Sequence, residues 1–167
     1  MYCSILHVAI EGGPATFGGL GNVATQMVAA QNQFTLDAQH TFDASIITPY
    51  YPNLFKNCPD KTQVAEINHV YNDILVTSKI YLISQNNNKH YLIEPPDEYK
   101  YLFNINTLPD LYLDTESSLF IDRLKFYNSA VAAYVGNGPI GINHPNPQIL
   151  QLHDWQAALI PTLLKNV

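Results

Sequence analysis

The residues best suited to chemistry lie at opposite ends of the chain: a glycine-rich loop near the start and a His-Asp pair near the finish. Gly18-Gly19-Leu20-Gly21-Asn22 follows an apolar run, residues 3–10, and opens a helical pattern in which Leu20, Val23, Met27, Ala30 and Phe34 recur roughly on one face. A strand, a glycine loop and a helix in that order leave backbone N–H groups open at a helix start, where anions and phosphates above all are attracted. Glycine also lets a ligand approach the backbone closely. The same pattern serves equally as a plain tight connection, and local pattern alone does not choose between the two. The spacing is neither the dinucleotide fingerprint nor a P-loop.

The second group is His153-Asp154, directly after the apolar segment 148–152. An imidazole there could bond a sugar hydroxyl or a leaving phosphate, with core or capping duty as the competing role. Asp154 is placed to cap the last helix. Glu11, in the loop 11–17, is a further rim carboxylate, but no spacing fixes its geometry to Asp154. Both groups follow strands, and ligands in open α/β sheets bind beyond the carboxyl ends of strands. The remaining histidines, at 7, 40, 69, 90 and 144, show no HxH or HExxH spacing, so no metal is expected. A G-x-S-x-G elbow and a carboxylate pair for glycoside hydrolysis are also missing from the pattern. No cofactor is expected.

Composition narrows the partners. The chain has 167 residues, 47% apolar and 13% charged, which suits one domain with a sizeable core. Net charge is −6 and the eight basic residues are dispersed, which argues against nucleic acid. No apolar run reaches the ~18 residues of a membrane span, and the start lacks a basic leader, so neither a membrane partner nor secretion is expected. Cys3 and Cys58 are read as reduced and structural, in a cytoplasmic setting.

The elements that must position these residues can be read in order. Residues 3–10 form a strand buried on both faces, a helix ends near Gln33, and residues 43–49 form a second strand, which together make a βαβ unit. Residues 63–71, 74–84 and 90–93 read as an antiparallel excursion, with Asn86-Asn87-Asn88 as a hairpin turn. Glu94–Glu98 reads as a solvated acidic loop. A helix over 117–135 carries Phe120, Leu124, Tyr127, Val131 and Tyr134 as a core stripe. Residues 148–152 form another buried strand, and a helix follows over 154–164. The expectation is one α/β domain, Rossmann-like and layered, with a mainly parallel sheet and a β-hairpin excursion.

Several blocks stand in an order that resembles a known family. They are Ile5-Leu6-His7-Val8-Ala9, Glu11 and Pro14, Gly18-Gly19-Leu20-Gly21-Asn22-Val23, Thr48-Pro49-Tyr50-Tyr51-Pro52, the stretch 123–130, and His153-Asp154-Trp155-Gln156-Ala157-Ala158-Leu159-Ile160-Pro161. Across nearly its whole length the chain resembles the N-terminal, acceptor-side domain of bacterial glycogen synthases and plant starch synthases, retaining glycosyltransferases of the two-lobed GT-B fold. The resemblance implies transfer of glucose from a nucleotide sugar, ADP-glucose or UDP-glucose, to an α-1,4-glucan. It implies a glycine loop, Gly18, Gly19 and Gly21, against the donor, and His153 against the transferred glucose. Arg123 falls on a family arginine and is read as structural. Two positions depart from the family motif: Thr16 stands where a lysine belongs and Asn22 where an aspartate belongs. The loop between Glu11 and Gly18 is one residue short. A lost cation weakens a charge-assisted contact to phosphate. The family's second, nucleotide-binding lobe is expected to be absent from residues 1–167, leaving a weakly active or inactive domain that needs a separate C-terminal lobe or protein partner. A non-catalytic relative that binds a glucan or a protein is the alternative. Some of the 11 tyrosines could stack on sugars.

Overall fold

The computed structural model describes residues 2–13, 15–16, 18–37, 40–56, 61–85, 88–112, 115–140 and 146–166. Pro14, Phe17, Cys58, the Asn86-Asn87 step, Gly141 and His144 lie outside the described residues. The strands are β1 (Tyr2–Val8), β2 (Thr35–Asp37), β3 (His40–Pro49), β4 (Thr62–Tyr71), β5 (Ile74–Gln85), β6 (Asn88–Glu94) and β7 (Ile149–Leu152). The helices are α1 (Gly19–Gln33), α2 (Ser118–Gly136) and a short α3 (Ile160–Leu163). Among the described residues no helix is long and apolar enough to cross a membrane.

The sheet runs β4-β5-β6-β3-β1-β7, with β2 against the start of β3. β1 is parallel to β3 and to β7, and β3 is parallel to β6. The β4–β5 and β5–β6 pairs are antiparallel, so the expected excursion extends one edge of the parallel core. Asn72 and Asp73 turn β4 into β5 with φ of 49° and 62°. Positive φ at both central residues suits the right-handed twist of a two-residue hairpin, and short polar side chains tolerate it.

Alternation along β1 sorts the core. Leu6, Val8 and Ile10 face the large cluster that holds Phe120, Leu124, Tyr127, Val131 and Tyr134 of α2. Ile5 and Ala9 face the smaller cluster with Ala24 and Val28 of α1 and Ala44 and Ile46 of β3. The helices thus lie on opposite faces, which the period of two in a strand requires. Ser117 caps α2 by accepting from the Phe120 N–H at 3.1 Å.

Three local expectations need correction. The buried stripe of α1 is Gly21, Ala24 and Val28, while Val23 and Phe34 are 51% and 56% exposed. Small side chains let the helix sit close to the sheet, and this outweighs the larger residues one position out of phase. β7 is an edge strand, with Ile149 46% exposed, because β1 is its one neighbour among the described residues. The helix expected over 154–164 is instead a 3₁₀ turn (Trp155–Ala157), α3, and a second 3₁₀ turn (Leu164–Asn166). Pro161 has no N–H to give to Ala157 and fits only a first helical turn, so the helix restarts there.

Candidate functional site

The chain runs from β1 through α1 to β3 on one flank of β1, and α2 later carries it to β7 on the other flank. The strand order therefore reverses between β1 and β7. In open α/β sheets the crevice beyond the carboxyl ends at such a reversal is where ligands bind. Val8 pairs with Leu152, and the His153 N–H donates to the Val8 carbonyl at 2.9 Å. The glycine-rich loop and His153-Asp154 thus leave adjacent parallel strands at the same edge.

The loop is tied to itself and to α1. Gly12 and Ala15 exchange two backbone bonds of 3.1 Å. The Gly13 N–H donates to Thr25 Oγ1 at 2.9 Å, and the Thr16 hydroxyl donates back to the Gly13 carbonyl at 2.7 Å. Gly13 has φ of 54°, and a Cβ there would sit 2.7 Å from the buried His90 ring, so glycine is needed on both counts. Thr16 therefore turns inward.

The motif glycines divide. Gly18 and Gly19 are exposed, and a Cβ on either would meet no atom within 4 Å. Gly21 is buried, and its Cβ would lie 3.0 Å from Thr16 Cγ2 and 3.1 Å from Glu11 Cγ. Gly21 thus serves close packing of α1, whereas Gly18 and Gly19 leave backbone open at the rim. The Asn22 amide donates to the Gly18 carbonyl at 2.8 Å, within its own helix.

The expected attraction of this helix start for phosphate meets an obstacle inside the chain. The Glu11 side chain is buried, 1% exposed, and its Oε1 accepts from the Gly21 N–H at 3.1 Å and from the Tyr112 hydroxyl at 2.9 Å. A carboxylate already holds part of the positive end of α1. Burial, the bond to Glu11 and its charge hold the Tyr112 phenol far above the ordinary range, and Asp154 adds a smaller push of the same sign.

Two buried tyrosines support the rim from below. Tyr127 reaches the Ala9 and Ile47 carbonyls at 2.9 and 2.7 Å, and Tyr51 donates to the Ile10 carbonyl at 2.9 Å. Arg123 is buried and its Nε donates to the Leu102 carbonyl, a place in the framework.

His153 is 7% exposed and does not stand alone. Its Nε2 lies 2.9 Å from Nδ1 of the fully buried His7, whose Nε2 lies 2.7 Å from Gln31 Oε1 of α1. The ring centroids lie 5.1 Å apart with 22° between planes, so the two rings meet edge to edge, as an in-line bond between ring nitrogens requires. Burial lowers the pKa of both, and the neighbouring His7 lowers that of His153 further. Asp154 has φ of 64° and ψ of 177°, a region that all but glycine avoid. Its carboxylate accepts from the Trp155 N–H at 2.7 Å, which caps the 3₁₀ turn.

Spacing did not reveal His7, Gln31, Thr25 or Tyr112. His7 and His153 are 146 residues apart, and only the β1–β7 pairing brings them together. The one available signal is parity, since His7 alternates with Ile5 and Ala9 on the α1 face.

A layered α/β lobe with an open glycine loop and a buried histidine beside its strand-order reversal defines a Rossmann-like domain. The family model for the starch synthase catalytic domain matches residues 4–167, and the chain belongs to that family. The glycogen synthase of Chlamydia trachomatis is 28% identical over 165 residues, covering 96% of this chain and 30% of that relative. The glycogen synthase of Chlamydia felis is 25% identical over 172 residues, with the same coverage. The catalytic domain of Starch Synthase IV from Arabidopsis thaliana, solved bound to ADP and acarbose, shares the fold at a TM-score of 0.73 and 21% identity. It aligns over 99% of this chain and 32% of that one. The chain spans about a third of the length of the relatives it matches.

Proposed function

We propose that this chain contributes the acceptor-side lobe of a glucan synthase, which transfers glucose from an ADP-glucose-type donor to an α-1,4-glucan and needs a second lobe for turnover. The observation that carries the reading is that the loop leading to the open Gly18-Gly19 backbone and His153 leave adjacent parallel strands at the same sheet edge, at the reversal between β1 and β7. Glu11, Asp154, Thr16, Gly21 and Asn22 frame that rim. With Glu11 at the start of α1, the rim suits the uncharged hydroxyls of a sugar better than a phosphate. The Arabidopsis relative, bound to ADP and acarbose, supports a nucleotide and a glucan as the ligand pair. Cytoplasmic residence fits the same reading.

A second reading, a non-catalytic glucan-binding relative, is favoured by Thr16 and Asn22. Both side chains are engaged within the loop and first turn, and neither offers a charge to a leaving phosphate. Calorimetry with ADP-glucose, UDP-glucose and maltooligosaccharides separates the two readings. Weak binding of a nucleotide sugar supports the synthase lobe, and binding of maltooligosaccharide alone supports the second reading. Binding of none of them refutes both.

A further inference from the structure

We infer that His7 and Gln31 are positioning residues that fix the tautomer of His153 and leave its Nδ1 as a hydrogen-bond acceptor for a ligand hydroxyl. The inference rests on the proposed sugar site and deepens it. Gln31 Oε1 can only accept, so the proton between it and His7, across 2.7 Å, belongs to His7 Nε2. A neutral imidazole has one N–H, so His7 Nδ1 carries a lone pair. The 2.9 Å contact from His7 Nδ1 to His153 Nε2 then requires the proton on His153 Nε2. His153 Nδ1 is left bare and makes no bond among the described residues. Burial of both rings keeps them neutral, in line with the lowered pKa of each.

The direction of this relay sets what the rim can recognise. A bare nitrogen accepts from an O–H and repels the lone pairs of a phosphate or carboxylate oxygen. His153 therefore favours the hexose part of a nucleotide sugar over its pyrophosphate. A sequence with an acceptor at position 31 of α1 and a histidine on β1 orients the ring without touching the ligand, which makes these residues part of specificity and not of the chemical step.

The test is long-range ¹H–¹⁵N NMR of the histidine side chains in the ligand-free chain at neutral pH. The expected result is a protonated Nε2 and a bare Nδ1 on both His7 and His153, without averaging. A proton on Nδ1 of either ring means the relay runs the other way and overturns the inference. Gln31→Leu removes the terminal acceptor, and both rings should then average between tautomers. Nucleotide-sugar affinity should fall by roughly twofold to tenfold, the worth of one hydrogen bond. An unchanged His153 spectrum in Gln31→Leu also overturns the inference. If that variant does not fold, the parent spectrum still decides the direction. A parent chain that binds no nucleotide sugar counts against the proposed function alone, since the ligand-free spectra decide the relay.

Discussion

Gly21→Ala and Gly19→Ala, two residues apart in the same loop, should have opposite effects on stability. A Cβ at position 21 would sit 3.0 Å from Thr16 Cγ2 and 3.1 Å from both Glu11 Cγ and Thr16 Oγ1. Thr16 is held to Gly13, and Glu11 to Gly21 and Tyr112, so neither neighbour gives way freely. Overpacking of this kind costs about 1–3 kcal/mol. The gain in helix propensity from alanine offsets up to about 1 kcal/mol of that. With the full offset the net loss is about 0–2 kcal/mol, or up to roughly 8 °C in Tm for a chain of this size. At position 19 a Cβ meets nothing within 4 Å. There alanine should stabilise by about 0.4–1 kcal/mol through the unfolded state. Thermal and urea melts of both variants give the comparison. A Gly21→Ala variant stabilised as much as Gly19→Ala, or a Gly19→Ala variant destabilised by about 1 kcal/mol, would refute the division of labour between packing and open glycines. In the same variants, nucleotide-sugar binding should weaken for Gly19→Ala despite its stability, since the new methyl fills the open rim.

Other perturbations follow from the same contacts. Tyr112→Phe removes a 2.9 Å bond to the buried Glu11 carboxylate and should cost about 1.5–3 kcal/mol in urea unfolding, the range for bonds to charged groups. Asp154→Ala should cost about 1 kcal/mol through the lost cap, whereas Asp154→Gly should be at least as stable as the parent because glycine relieves the backbone at φ 64°. Acidification should destabilise the fold between pH 6.5 and 4. His69 and His90 are buried against hydroxyls, and burial pushes each down to about 4. The unfolded chain binds protons first, so their contribution is fully present above pH 6.5 and falls as pH drops toward 4, at about 1.4 kcal/mol per pH unit for each ring. A urea midpoint that is flat across that window would contradict the neutral, buried placement.

The sequence revealed the frame of this domain more fully than its site. Long periodic or alternating runs, such as Phe120 to Tyr134 and the two β-hairpins, carry their packing in local pattern, and their placement follows. The buried stripe of α1 is not legible in the sequence because tight docking selects Gly21, Ala24 and Val28, which are weak hydrophobic signals beside Val23 and Phe34. The last helix failed at Pro161, where one missing donor outweighed an apolar run. At the rim, Gly18 and Gly21 look alike in one dimension and differ only in what surrounds them. Glu11 could be named from the sequence, but its capping of α1 depends on a fold-back that no spacing encodes. His7 was legible as a core strand residue, and its partnership with His153 needed the parallel pairing of the first and last strands.

The central claim is that a sugar ligand sits where the loops after β1 and β7 meet. Backbone amide chemical-shift mapping during titration with ADP-glucose tests it most directly and tolerates weak binding. The shifts should concentrate on Gly18, Gly19, His153 and Asp154 and be small in the β4–β5 hairpin. Shifts confined to the hairpin, or none at millimolar ligand, on the order of the weakest specific affinities, would contradict it.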